Sequence, residues 1–181
     1  MLTGVGYAVL AARRDRVCWL AGAVSSACAA LLAGLRGLPM QSGLQVFFVG
    51  MAVYGWINWT RSSTQGEVQV GTWPLTRHLA AAVGCGLLSF ASARVLARET
   101  QAAWPLLDSL TTWFSLLATW LAARARLENW LYWIVIDTAL VYLFWKQQLP
   151  YLAFLNVLFI AIAASGFIAW RRRLTTQVVP A

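Results

Sequence analysis

The chain has 181 residues, 60% of them hydrophobic and only 11% charged, with a net charge of +8. So little charge cannot cover the surface of a soluble domain of this length, which excludes a soluble enzyme and a soluble nucleic-acid-binding domain. A helix crossing the hydrocarbon core needs about 20 mostly apolar residues, and most of the chain divides into such lengths, so it reads as an integral membrane protein.

Seven apolar segments follow in order, at 1–12, 17–35, 42–60, 79–96, 104–122, 130–145 and 151–170. None alternates strictly, and lipid tolerates only helices or closed barrels, so each is read as a helix. No basic n-region precedes the first segment, so no cleavable signal peptide is expected. That segment is short: at about 1.5 Å per residue it makes roughly 18 Å, against a core of about 30 Å. Pro39, Pro74, Pro105 and Pro150 lie in connectors or at helix starts, where a missing N–H costs little. The longest polar stretch, RSSTQGEVQVGTWPLTRH at 61–78, reads as a loop. His78 at its edge has no Cys, Asp or Glu in ligand spacing and is expected to be solvated. Glu128, close to Arg124 and Arg126, is expected to pair with them at the surface. Cys18, Cys28 and Cys85 lie in apolar runs without metal-ligand spacing and read as packing residues.

Charge orients these segments. Arg13, Arg14, Arg16, Arg61, Arg77, Arg124, Arg126, Arg171, Arg172 and Arg173 collect on one side, against Arg36, Arg94, Arg98 and Lys146 on the other. The arginine-rich side is expected to be cytoplasmic, with the N-terminus outside and the C-terminus inside. Nine of the eleven tryptophans lie near segment ends, where a headgroup-level aromatic belt accounts for most of them.

The chain also repeats itself. Shifted by 111, residues 11–61 match residues 122–172 at 17 of 51 positions without gaps. Leu/Ala-rich helices match by chance at about one position in ten. The matches include Trp19 with Trp130, Leu38–Pro39 with Leu149–Pro150, Gly55 with Gly166, Trp59 with Trp170 and Arg61 with Arg172. Shared helix phasing does not place Pro and Arg in register. The expected organisation is a three-helix repeat at 1–60, a cytoplasmic loop and linker helix at 61–103, a second three-helix repeat at 104–173 and a cytoplasmic tail at 174–181. Parallel repeats about an axis along the membrane normal are a transporter arrangement, with the site between them near the midplane. Segment five begins at 104, whose equivalent would be position −7. Helix one is therefore expected to lack part of its outer end, which a late start would explain.

Residues 128–137 read ENWLYWIVID. Together with LQVFF at 44–48, YGWINW at 54–59, DSLTTWFSLLATWL at 108–121 and the G-x-x-x-W at 166–170, this resembles the PnuC family of vitamin transporters from residue 11 to about 173. The resemblance implies an all-α membrane fold of the full-length SWEET type, with seven helices in a three-plus-one-plus-three order. It also implies nicotinamide riboside, an NAD precursor, as the small-molecule cargo. Facilitated diffusion by alternating access in the inner membrane, a homotrimer and trapping by a cytoplasmic kinase follow from the same likeness. Thr119 and Asn156 depart from the glutamine and the aromatic residue common in the family, so thiamine or another vitamin stands as an alternative cargo. A non-transporting membrane scaffold is the alternative from another class, and a mid-segment acid speaks against it.

That acid is Asp137, placed where an ionised carboxylate is costly and usually functional. It offers bonds to ribose hydroxyls and offsets the charge of a ribosyl-pyridinium; the alternative is a helix–helix hydrogen bond. Trp133 lies one turn earlier on the same face, suited to cation–π stacking or to plain packing. Their repeat partners are Ser26 and Gly22. Gln45 and Asn156 are repeat equivalents, either cavity-lining amides or interhelical glue. Ser115 and Thr119 are four apart on one face, lining the path or bonding back to their own helix. Trp56, Asn58 and Trp59, with Asn129 and Trp130, form a possible inner gate, although Trp59 and Trp170 also fit belt anchors. No phosphate-binding glycine loop, dinucleotide fingerprint, HExxH or Ser/His/Asp set is present, so no enzyme activity, cofactor, metal or nucleic-acid partner is expected.

Overall fold

The computed structural model describes residues 2–35, 39–64, 67–99 and 104–178. Proline and arginine punctuate the helices as their chemistry demands. Seven α-helices occur among the described residues: α1 Leu2–Ala12, α2 Val17–Leu35, α3 Pro39–Arg61, α4 Leu75–Glu99, α5 Pro105–Ala123, α6 Asn129–Lys146 and α7 Pro150–Val178. Three begin on proline, whose absent N–H is not needed in a first turn. Leu75–Arg98, Pro105–Ala123 and Pro150–Thr176 are long and apolar enough to cross a membrane. Arg36 lies outside the described residues.

The turns after α1 and α5 are built alike. Arg14 and Ala125, equivalent under the 111 shift, both stand in the left-handed region, with φ of 61° and 51°. In each turn the residue's N–H donates to the carbonyl three back, Ala11 or Ala122, at 2.9 Å. Packing is paired in the same way. α2 lies on α3 and α6 on α7, while α1 lies on α2 and α5 on α6. The two sets meet through α1 against α7 and α3 against α5, and α4 packs on α5. Two helical glycines let an indole pack directly on the backbone of the neighbouring helix. The Trp19 ring lies on Gly55, where an added Cβ would clash, and a Cβ on Gly166 would stand 2.8 Å from the Trp130 ring.

The 61–78 stretch is more ordered than a plain loop. It holds two short antiparallel strands, β1 Ser63–Thr64 and β2 Glu67–Val68. Val68 and Val70 are buried and Gln69 between them is exposed, the period-two pattern of a half-buried strand. Gly71 then donates to the Ala125 carbonyl at 3.0 Å and accepts from Leu127 N–H at 2.9 Å, which pins the connector beneath α5 and α6.

Candidate functional site

α6 presents Trp130, Trp133 and Asp137 along one face, as spacings of three, four and seven require. With Tyr7 of α1 and Asn156 and Phe159 of α7, they line a cavity of about 300 Å³. Asp137 is 4% exposed, and among the described residues no hydrogen bond or ion pair engages its carboxylate. No Lys, Arg or His lines this cavity. A second cavity of about 160 Å³ adjoins it and shares Gly4, Tyr7 and Trp133 as walls. A groove of about 380 Å³ between α5 and α6 is larger, but its lining is apolar apart from Thr111 and Tyr132, and it holds none of the candidate residues.

Tryptophan forms the cavity floor. Trp59 and Trp170 are fully buried and Trp130 is 4% exposed. The rings run in a row, Trp19 to Trp59 at 5.4 Å, Trp59 to Trp170 at 5.9 Å and Trp170 to Trp130 at 5.4 Å. The belt reading is therefore corrected for these four: they face protein, not headgroups. The reason lies at the helix ends. The last carbonyls of a helix lack intrahelical partners. Trp59 Nε1–H donates to the Ala122 carbonyl at 3.1 Å, and Trp170 Nε1–H donates to the Ala11 carbonyl at 3.2 Å. The indole of Trp59, on α3, thus adds a second bond to a carbonyl at the end of α5, and that of Trp170, on α7, does the same at the end of α1. Asn58 adds a third bond, from Nδ2 to the Ala123 carbonyl at 2.8 Å.

The remaining candidates separate. Asn156 lines the larger cavity while its Nδ2 donates to the Leu152 carbonyl at 2.8 Å. Its repeat equivalent Gln45 lines neither cavity, and nor does Ser115. Thr119 lines the smaller cavity and bonds back to the Ser115 carbonyl at 2.8 Å. Asn129 and Trp130 line the larger cavity, and Asn129 Nδ2 donates to the Arg126 carbonyl at 2.6 Å. Trp56 stands apart under the Arg16 guanidinium, 5.7 Å from its ring centre.

Two surface expectations are also corrected. His78 is not solvated: its Nδ1 lies 3.0 Å from the Tyr132 hydroxyl, and its ring packs on Trp73. Glu128 does not pair with Arg124 or Arg126. Its Oε1 accepts the Trp73 N–H at 2.8 Å and lies 3.8 Å from His78 Nε2. Arg124 instead donates to the Tyr54 hydroxyl at 3.1 Å and covers the Trp120 ring. The ordered 71–74 connector supplies an N–H that needs an acceptor, and Glu128 is the acceptor in reach.

Sequence reasoning missed Tyr7, Phe159 and Trp170 as cavity walls. A signal for Tyr7 was present in the repeat. Trp133 corresponds to Gly22, and Tyr7 fills the space that Gly22 leaves, its ring 3.1 Å from where a Cβ would stand.

The arrangement is an aromatic, singly acidic chamber, and no group of side chains able to hold a metal ion occurs among the described residues. Comparison with known proteins gives it a context. The family model described as nicotinamide mononucleotide transporter matches residues 1–172. The nicotinamide riboside transporters PnuC of Escherichia coli (strain K12) and of Shigella flexneri are each 28% identical over 153 residues, covering 70% of this chain and 64% of theirs. The chain thus spans less than two thirds of the length of these relatives. A crystal structure of the vitamin B3 transporter PnuC shares the fold, with a TM-score of 0.76 at 20% identity over 97% of this chain and 80% of that one.

Proposed function

Because the chain belongs to the nicotinamide mononucleotide transporter family, we propose that it carries nicotinamide riboside across the inner membrane. The observation that carries this choice of cargo is the buried, unpaired Asp137 in a cavity with no basic residue. A mononucleotide would bury a phosphate as well as its pyridinium beside the carboxylate, with no basic side chain to offset the excess negative charge, which is strongly unfavourable. The riboside has a cationic pyridinium and no phosphate. Asp137 offsets that charge, and the Trp133 face attracts it. Calorimetry on the purified protein tests this with nicotinamide riboside, its mononucleotide, thiamine, riboflavin and nicotinamide side by side. Tight binding of the riboside alone is expected. Tight thiamine binding alone would reassign the cargo, and preference for the mononucleotide would overturn the electrostatic argument.

The same proposal includes alternating access between two parallel three-helix repeats, α1–α3 and α5–α7, joined by α4 as inverter. The matched helix pairs, the twin turns at Arg14 and Ala125, and the exchanged indole bonds support it. The row Trp19–Trp59–Trp170–Trp130 is unchanged when the halves are exchanged, and it closes the arginine-rich end. We assign it as the cytoplasmic gate, with the N-terminus outside. Homotrimeric assembly, facilitated diffusion and capture of the product by a cytoplasmic kinase complete the reading and rest on the family likeness.

The gate has a built-in reporter, because Cys18 is fully buried beside Trp19. In a background with Cys28→Ala and Cys85→Ala, the double variant Trp59→Phe, Trp170→Phe keeps an aromatic ring at each position but removes two hydrogen bonds worth about 1 kcal/mol each and part of the packed indole volume. Maleimide labelling of Cys18 is expected to accelerate about tenfold or more. Unchanged labelling would mean that these two indoles do not hold the gate.

A further inference from the structure

The two cavities are repeat equivalents of one another. Trp19, Phe48 and Ala52 line the smaller, and their partners under the 111 shift, Trp130, Phe159 and Ala163, line the larger. Gly22 and Ser26 line the smaller where Trp133 and Asp137 line the larger. The chain therefore holds the same chamber twice, with different chemistry at two positions. One version has an indole and a carboxylate. The other has a glycine and a hydroxyl, with Ser25 and Thr119 adding two more hydroxyls. The chambers are adjacent, because Gly4, Tyr7 and Trp133 wall both.

We propose that the smaller cavity is the sugar half of a bipartite site: it takes the ribose hydroxyls of a ribosyl-pyridinium whose charged ring lies in the larger cavity. The assignment rests on the riboside reading above. Its direction follows from charge. Asp137 is the one carboxylate lining either cavity, so the cationic ring belongs on its side. The smaller cavity has only neutral hydroxyls as polar groups besides Tyr7 and the Trp ring N–H groups, which matches a neutral polyol. Thr119 commits its proton to the Ser115 carbonyl and so receives hydrogen bonds from the sugar. Ser26 is free to donate or accept.

The test uses two probes on the full chain, nicotinamide riboside and N-methylnicotinamide, which has the same cationic ring without the sugar. Ser26→Ala and, separately, Thr119→Val are expected to weaken riboside binding about fivefold to tenfold, the effect of one lost hydrogen bond. Both variants are expected to leave N-methylnicotinamide within twofold of wild type. Two variants on different helices guard against one failing to fold, and elution as a single species with unchanged melting is the folding check. Equal weakening of both probes, or of neither, overturns the bipartite site while the riboside reading stands. If the wild-type protein binds neither probe, the cargo reading fails and the proposal fails with it.

Discussion

Replacing Asp137 with asparagine is expected to weaken nicotinamide riboside binding about 10- to 100-fold while melting in detergent stays at or slightly above wild type. The two halves of that result have one cause. Asparagine keeps the shape and much of the hydrogen bonding but removes the charge. Unit charges roughly 6–8 Å apart attract by about 2–3 kcal/mol at an effective dielectric constant near 20, and about 1.4 kcal/mol is tenfold in affinity. The empty protein gains nothing from the carboxylate. Asp137 is 4% exposed, and no described residue pairs with it, so its burial is a cost that asparagine relieves. The variant should also discriminate less against the mononucleotide, because a like charge has gone. Calorimetry with both ligands, together with a melting curve, reads all three effects. Loss of affinity and stability together would make Asp137 a structural residue.

Gly166→Ala is expected to lower stability by about 1–3 kcal/mol, the cost of forcing extra volume into a packed core. The added Cβ would stand 2.8 Å from the Trp130 ring, and that ring is fixed from behind by Trp170. Gly55→Ala should act alike through Trp19. Gly50→Ala is the control on the same helix as Gly55. Nothing lies within 4 Å of its Cβ, so it should be neutral or stabilising by up to about 1 kcal/mol, because glycine is a poor helix former. Because Trp130 lines the larger cavity, Gly166→Ala should weaken ligand binding as well. Equal melting of Gly166→Ala and Gly50→Ala would show that the indole moves aside freely and that the tight contact is unimportant.

The helices were legible because their boundaries are chemical. Prolines stand at three starts, arginine or lysine stands near the ends of several, and the predicted segments fall within a few residues of the observed helices except at the tail of α7 and the start of α4. The 61–78 stretch is a loop as expected, but its two short strands left no clear signal, because the Val68 and Val70 alternation is short and sits among polar residues. His78 and Glu128 were misread for a related reason. Their partners, Tyr132 and Trp73, come from a helix face and from a connector 55 residues away in sequence, and spacing carries no trace of either.

The site was legible in part. Trp133 and Asp137 are one turn apart on a single helix, so their shared face follows from local geometry. Gln45 and Asn156 looked equivalent, yet only Asn156 lines the cavity. These helices are apolar nearly all round, so the pattern does not say which side faces a neighbour.

The sequence alone therefore determined seven helices, their punctuation and the 111-residue repetition, because lipid admits only helices or closed barrels, the segments lack a barrel strand's alternation, and proline, arginine and tryptophan recur in register. Only the tertiary structure decided which polar groups share a chamber and that Trp59 and Trp170 reach the ends of α5 and α1. Those outcomes depend on how each helix is rotated against its neighbours. That rotation is set by contacts such as Trp130 on Gly166, between residues 36 positions apart in the chain.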